Sequence, residues 1–281
     1  MQKSNSFNEK CSENYRYFFD KDLIKGKVAL ITGGGSGIGF SIAEIFLRHG
    51  CNVVIASRNL QRVQLAAEEL SKVKRPNAKC LGLQLDVRKP ENIVNLYESI
   101  ANEFGRLDVL VNCAAGNFLS PITGLSPNAY RTVLEIDTMG TFLCSKYAFE
   151  TFFQRQKSGV ILNITATLDY RGTPLQAHAG SAKAAIDALT RHMSVEWGSS
   201  NVRVVGIAPG ATDGTEGLRR LSNPEYLNTM LNQIPLGRLG TRTEIANGAL
   251  FLISEIAAYI TGATLVCDGG HWLTSAWQAN L

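Results

Sequence analysis

The sequence predicts an α/β fold: a single domain on a doubly wound parallel sheet. Three observations carry this. Short apolar runs of strand length alternate with longer stretches of helical period along most of the chain. A glycine cluster, Thr32-Gly33-Gly34-Gly35-Ser36-Gly37-Ile38-Gly39, separates the first such run from the first such stretch. No internal repeat or linker divides the 281 residues, a length that one α/β domain accommodates.

The elements follow in order. Val28-Ala29-Leu30-Ile31 is a short, wholly apolar run, as expected of a strand covered on both faces, and residues 40–47 have helical period. Residues 52–56 form a second buried strand, 60–70 a helix, and after Pro76 residues 80–85 a third strand. The alternation continues with a helix at 91–104, a strand at 109–111, a long helix at 128–153 and a strand at 159–164. A helix at 181–197, a strand at 202–207, a helix at 243–253 and a strand at 264–266 complete it. Between Pro209 and Pro235 the period is broken by Gly210, Gly214, Gly217 and Pro224, just beyond a strand's carboxyl end. Open α/β sheets bind ligands at that edge, so residues 211–235 are expected to form a small substrate lid. Residues 1–25 precede the first strand, and residues 26–281 make the domain.

Composition excludes several functions. Hydrophobic residues make up 45% and charged residues 19%, which argues against extended disorder, and no apolar run reaches the length of a membrane span. The net charge of +4 is small and the basic residues are scattered, so no nucleic-acid footprint is visible. Six cysteines at 11, 51, 80, 113, 144 and 267 include no Cys-x-x-Cys pair and several lie in apolar runs, as expected of reduced core thiols. No metal site is expected, and His178 and His192 have no second metal-type residue at helical spacing. The first residues carry charges and the aromatic group Tyr15, Tyr17, Phe18 and Phe19 but no apolar signal core, so they are read as an arm packed on a soluble domain.

The glycine cluster points to chemistry. Between a strand and a helix, glycines allow a tight turn and close approach of backbone to a pyrophosphate, whose charge is met by free N–H groups at the helix start. The fold is therefore of the dinucleotide-binding Rossmann type. At the end of the second strand, Ala56-Ser57-Arg58-Asn59 offers a hydroxyl and a guanidinium where an NAD site would place a carboxylate, which favours the 2′-phosphate of NADPH. The alternative for Arg58 is an exposed bridge to the next helix.

Thr32-Gly33-x-x-x-Gly37-x-Gly39, Asp86-Val87, Asn112-Cys113-Ala114-Ala115-Gly116, Lys183 and Pro209-Gly210 occur in the order and spacing of the short-chain dehydrogenase/reductase family, which the chain resembles over residues 25–270. The stretch from Asn112 to Phe118 followed by Ser120-Pro121, with Ala182-Lys183-Ala184 and Glu196-Trp197-Gly198, resembles the 2,4-dienoyl-CoA reductases of that family, in their peroxisomal branch. The family's Tyr-x-x-x-Lys motif reads Ala179-Gly180-Ser181-Ala182-Lys183 here, and Leu168 stands where the mitochondrial branch carries a tyrosine. Ketone reduction needs an acid to protonate the carbonyl oxygen. Hydride addition to a diene conjugated with a thioester instead spreads charge into a dienolate, whose oxygen needs only hydrogen-bond donors. The resemblance thus implies NADPH-dependent reduction of 2,4-dienoyl-CoA to 3-enoyl-CoA, in the β-oxidation of unsaturated fatty acids.

The resemblance also implies roles. Lys183 would bond the nicotinamide ribose. Asp137 replaces the family's catalytic asparagine and would relay a proton with a water, beside Asp268; an aspartate acting as an acid near neutral pH needs burial or a like charge to keep its proton. Capping or lysine pairing are the alternatives for both. Asn117 would donate to the thioester oxygen, or serve only its turn, and Phe118 would pack on the acyl chain. Ala166 takes the place of the family serine, with Thr165 and Thr167 flanking it; either hydroxyl is open to that role. The cofactor would lie on Gly33 to Gly39, Ser57, Arg58, Asp86, Val87, Asn112, Pro209, Gly210, Ala211, Thr212, Gly214 and Thr215, with Asp86 at the adenine. CoA would meet Arg58, Arg88, Phe118, Ser126, Pro127, Asn128 and Arg220, although Arg219-Arg220 equally suits a solvated helix face.

A homotetramer is implied as well. The ending Ala279-Asn280-Leu281 resembles a weak peroxisomal targeting tripeptide, the strong form having a basic residue in place of Asn280, so a peroxisomal import receptor is an expected partner and the cytoplasm the alternative location. Two other readings stay open: a carbonyl or 3-oxoacyl-CoA reductase using an atypical acid such as Tyr170, and a catalytically inert NADPH-binding scaffold.

Overall fold

A computed structural model describes residues 7–221 and 224–274. Seven strands, all parallel, form one sheet in the order β3-β2-β1-β4-β5-β6-β7. They are β1 Val28–Thr32, β2 Asn52–Ser57, β3 Cys80–Gln84, β4 Val109–Asn112, β5 Gly159–Ile164, β6 Val202–Pro209 and β7 Thr264–Cys267. Around them lie α1 Gly37–Arg48, α2 Leu60–Ser71, α3 Pro90–Phe104, α4 Pro127–Leu134, α5 Gly140–Ala148, α6 Gln154–Gln156, α7 Ala177–Trp197, α8 Glu216–Leu221, α9 Pro224–Gln233 and α10 Arg242–Ile253. The doubly wound expectation is met.

The apolar runs are continuous because both faces of the sheet are covered. Ala29 and Ile31 of β1 join Val53, Ile55 and Val109 in one core against α1, α2 and α10. Val28 and Leu30 join Val54, Leu110 and Ile161 in the other, against α3, α5 and α7. Each fully buried aliphatic side chain stabilises by about 1.5–3 kcal/mol before entropy is counted. All six cysteines are free, and burial pushes their thiols up, which suits core packing and not reactivity.

Two helices depart from expectation. The long helix is a rod in which α4, α5 and α6 are joined by π turns at Glu135–Met139 and Phe149–Phe153. The first π turn leads into Gly140, where an added Cβ would lie 2.7 Å from Val87 Cγ2, so the rod lies directly on the segment after β3. The second departure is α7, which begins at Ala177, four residues before the expected start. No side chain caps it, and Ala177-His178-Ala179-Gly180 carries little helical signal.

The arm packs along α1. Phe7 meets Phe40, Arg48 donates to Ser12 O at 2.6 Å, and the Tyr15 hydroxyl lies 3.0 Å from His49 Nε2. His49 is buried, which pushes its pKa down and keeps the imidazole neutral. Beyond β6, α8 and α9 form the excursion expected as a lid, closed at its base by a bridge between Thr212 and Gly240.

Candidate active site

The sheet order reverses between β1 and β4, whose ends are paired at Thr32 and Asn112. A cleft of about 1120 Å³ opens there, at the carboxyl ends of the strands, as the topology demands. Thr32 Oγ1 accepts the amides of Cys113 and Ala114, both at 3.1 Å, and so fastens the loop after β4 to the end of β1.

The glycine loop forms one rim. Gly33 has φ +70°, and a Cβ there would stand 2.9 Å from Cys113 O, so no other residue fits. Gly39 lets α1 rest on the loop, since its Cβ would meet Gly33 O at 2.8 Å. Gly33, Gly35, Ser36, Gly37 and Ile38 line the cleft, while Gly34 packs beneath it on Ile55. Ser36 gives α1 no side-chain cap, which leaves the helix start to an anion, although Glu9 of the arm accepts the Gly37 amide at 3.0 Å and pairs with Arg242. A dinucleotide fits this cradle.

Beyond the ends of β2 and β3, Ser57, Arg58, Asp86 and Val87 line the cleft. Asn59 and Arg62 also line it; Asn59 caps α2 by accepting the Arg62 amide at 2.9 Å. Arg88 does not line the cleft. Its Nε donates to Asp86 Oδ1 at 2.9 Å and a second bond at 2.5 Å completes a fork, which holds the Asp86 carboxyl below the usual range. The guanidinium expected on CoA is spent on the neighbouring carboxylate.

At the centre, Asp137 sits in the first π turn with 1% exposure. Its Oδ1 accepts the Gly116 amide at 2.7 Å and its Oδ2 lies 3.1 Å from Lys183 Nζ, which also donates to Ile164 O at 3.2 Å. Lysine pairing, one of the alternatives for Asp137, is therefore present within the site itself. Ala179, Leu168 and Ala166 line the cleft, and no tyrosine is among the described residues that do. Of the two flanking threonines, Thr165 has a buried hydroxyl with no partner. The Tyr170 side chain does not line the cleft; its hydroxyl lies against Asp187 and Thr264.

Asn117 lines the cleft and is locked in place, its Oδ1 accepting the Phe118 amide at 2.8 Å and its Nδ2 donating to Gln176 Oε1 at 2.7 Å. Phe118 stacks on His178, ring centroids 4.2 Å apart. His178 is fully buried with both ring nitrogens unpartnered, and burial keeps it neutral. In the sequence His178 is set aside as a ligand or base for want of a second metal-type residue at helical spacing, and Gln176 falls in loop before the expected helix.

Other expected residues lie elsewhere. Asn112 is behind the cleft, donating to Ser145 and Asn163 in a buried network. Asp268 caps the C-terminal turn, accepting the amides of Gly270 at 2.9 Å and Trp272 at 2.7 Å; the capping alternative describes its geometry. That turn carries His271, which lines the cleft and contacts Arg171. Ser126, Pro127 and Asn128 form the exposed start of α4, with Ser126 capping it. Pro209, Gly210, Ala211, Thr212 and Thr215 line the cleft, whereas Gly214 makes a turn at φ +68° beside Arg242. The Arg220 side chain and the tripeptide at 279–281 fall outside the described residues.

A family model described as Enoyl-(Acyl carrier protein) reductase matches residues 33–271. A curated relative from Pongo abelii, named a peroxisomal 2,4-dienoyl-CoA reductase producing (3E)-enoyl-CoA, is 57% identical over 94% of this chain and 90% of its own length. A Bacillus subtilis protein, named a probable 2,4-dienoyl-CoA reductase producing (2E)-enoyl-CoA, is 39% identical over 88% of this chain and 97% of its own. The crystal structure of a short chain dehydrogenase from Bacillus anthracis superposes with a TM-score of 0.80, at 36% identity, covering 89% of this chain and 98% of that one. The chain belongs to the short-chain dehydrogenase/reductase family.

Proposed function

We propose that the protein reduces 2,4-dienoyl-CoA thioesters to 3-enoyl-CoA with NADPH, in the peroxisome. The observation that carries the reading is a nucleotide cleft that keeps Lys183 and Asp137 but places Ala179 where a ketone reductase needs its phenol. The relatives named for this reaction support it.

A nicotinamide cofactor, bound along the glycine loop, supplies the hydride. Lys183 is fixed by Ile164 O and Asp137, so its ammonium would bond the nicotinamide ribose with little freedom left to lose. Arg58 at the end of β2 favours the 2′-phosphate, which is the argument for NADPH over NADH. Asn117 spends one amide hydrogen on Gln176 and keeps the second for the thioester oxygen, where dienolate charge collects. Asp137 is a carboxylate clasped by an ammonium and an amide. Its role is to hold the water through which a solvent proton reaches carbon, so that the water is restored and no hydroxide is left in the cleft. Phe118, stacked on His178, offers an aromatic face to the acyl chain.

Among the described residues no helix is long and apolar enough to cross a membrane. We take residues 211–235 as the lid, the active form as a homotetramer and the peroxisome as its location; the names of the relatives support the last of these.

The test is NADPH oxidation with 2,4-hexadienoyl-CoA and with acetoacetyl-CoA. Turnover on the diene at least about 100-fold above the ketone is expected, since one positioned acid contributes on the order of 10²–10⁴ in rate. Turnover on the ketone alone would revive an atypical acid, and bound NADPH with no turnover on either would favour the scaffold.

A further inference from the structure

We propose that Asp169 and Asp187 share one proton, and that this carboxyl–carboxylate contact docks the 165–176 wall of the cleft onto α7. Asp169 is then a positioning residue for the acyl substrate. The inference deepens the reductase reading in its activity arm and is independent of it in its stability arm.

The geometry is as follows. Asp169 lies in the segment after β5, between Leu168 and Arg171, both of which line the cleft. Asp187 is on α7, one turn beyond Lys183, with 3% exposure. One Asp187 oxygen accepts from Thr264 Oγ1 at 2.8 Å. Its other oxygen, Oδ2, is buried with no donor, and so is Asp169 Oδ1. The two side chains are nonetheless in hydrogen-bonding contact with each other. Two ionised carboxylates in that position would repel and leave two buried oxygens unsatisfied. A single proton between them removes the repulsion and satisfies both.

The surroundings supply a donor to Asp187 but none to Asp169 Oδ1. The Tyr170 hydroxyl of the 165–176 segment hydrogen-bonds Asp187 and Thr264 and is pushed up to about 12 by burial and then by the two acids. α7 adds Arg191, the cation acting on Asp169, whose effect ranks below that of Asp187. β7 contributes only the neutral Thr264 hydroxyl, and the C-terminal turn contributes Trp272, edge-on to the Tyr170 ring at 5.5 Å. Burial, followed by the Asp187 hydrogen bond and charge, pushes the Asp169 carboxyl up to about 7, and the proton belongs to the pair.

The sign follows from linkage. The unfolded carboxyl gives up its proton in the ordinary carboxylate range, whereas the folded pair keeps one to near neutrality. Docking is therefore fully stabilised in acid and is lost as pH rises through the folded value. Glu244, pulled down to about 2 chiefly by Arg238, behaves oppositely and loses its contribution as pH falls from the ordinary carboxylate range through that value.

Thermal unfolding of the whole protein, and diene turnover, are followed from about pH 5.5 to about pH 9 for wild type, Asp169→Asn and Asp187→Asn. Either asparagine donates to the remaining carboxylate without titrating. Across this window the wild-type Tm should fall by about 5 °C more than that of either variant. Its KM for the dienoyl-CoA should rise about tenfold with kcat nearly constant, a rise absent from the variants. Parallel pH profiles in all three proteins overturn the proposal. A Tm difference without diene turnover upholds the proton-sharing pair and defeats the reductase reading, whereas diene turnover with parallel profiles does the reverse.

Discussion

Asp137 holds the Gly116 amide with one oxygen and the Lys183 ammonium with the other, at 2.7 and 3.1 Å, and Asp137 and Lys183 are both buried. Removing one member of a buried pair costs about 3–5 kcal/mol because the other is stranded. Asp137→Ala therefore mixes lost chemistry with a misplaced lysine, and Asp137→Asn, which keeps the shape and one of the two acceptor oxygens, is the cleaner variant. Arg58 offers a second test at this scale. It is exposed at the cleft mouth, so Arg58→Ala should leave stability unchanged while weakening NADPH binding about 10- to 100-fold and NADH binding hardly at all, measured by fluorescence titration with each cofactor. Residue identities at the centre were legible because they replace one chemistry with another: alanine for a phenol, carboxylate for an amide. Their partners were not. Nothing in the sequence says that Arg88 turns back on Asp86 or that Asp268 serves two amides of its own turn, because such contacts depend on the path of the backbone.

Elements were legible where burial is two-sided. Runs such as 28–31 and 109–111 are apolar throughout because α1 and α10 cover one face and α3 and α7 the other. The π turns left no trace, since one extra residue in a helical turn changes register without changing composition. Yet the first of them carries Asp137 into the cleft. The glycine loop allows a direct test. Gly33→Ala imposes a left-handed residue with a Cβ 2.9 Å from Cys113 O, so both strain and clash act in one direction. Stability should fall by about 2–4 kcal/mol, read as a Tm lower by roughly 4–16 °C, with cofactor affinity falling alongside. An unchanged Tm would mean that the loop shifts freely, and the rigid cradle described above would be wrong.

At the scale of the molecule, the arm, the sheet and the C-terminal turn converge on one cleft. Glu9 brings the arm to the glycine loop, Asn117 and Gln176 join the segments after β4 and β5, and Arg171 ties the latter to His271. The order of elements and the site's position at the sheet's switch point were legible from the sequence. These cross-links were not, because each joins residues far apart in the chain. Their common result is a cleft without a tyrosine among its described lining residues, and on the proposed function it would stabilise a dienolate by hydrogen bonds and pass it a proton through an ordered water. The most direct measurement is kcat/KM on 2,4-hexadienoyl-CoA for wild type and Asp137→Asn, with NADPH affinity titrated on both. The account predicts at least about a 100-fold loss in kcat/KM, carried by kcat, with cofactor affinity within about threefold of wild type. Full turnover by Asp137→Asn with NADPH bound normally would contradict it and remove Asp137 from the chemistry.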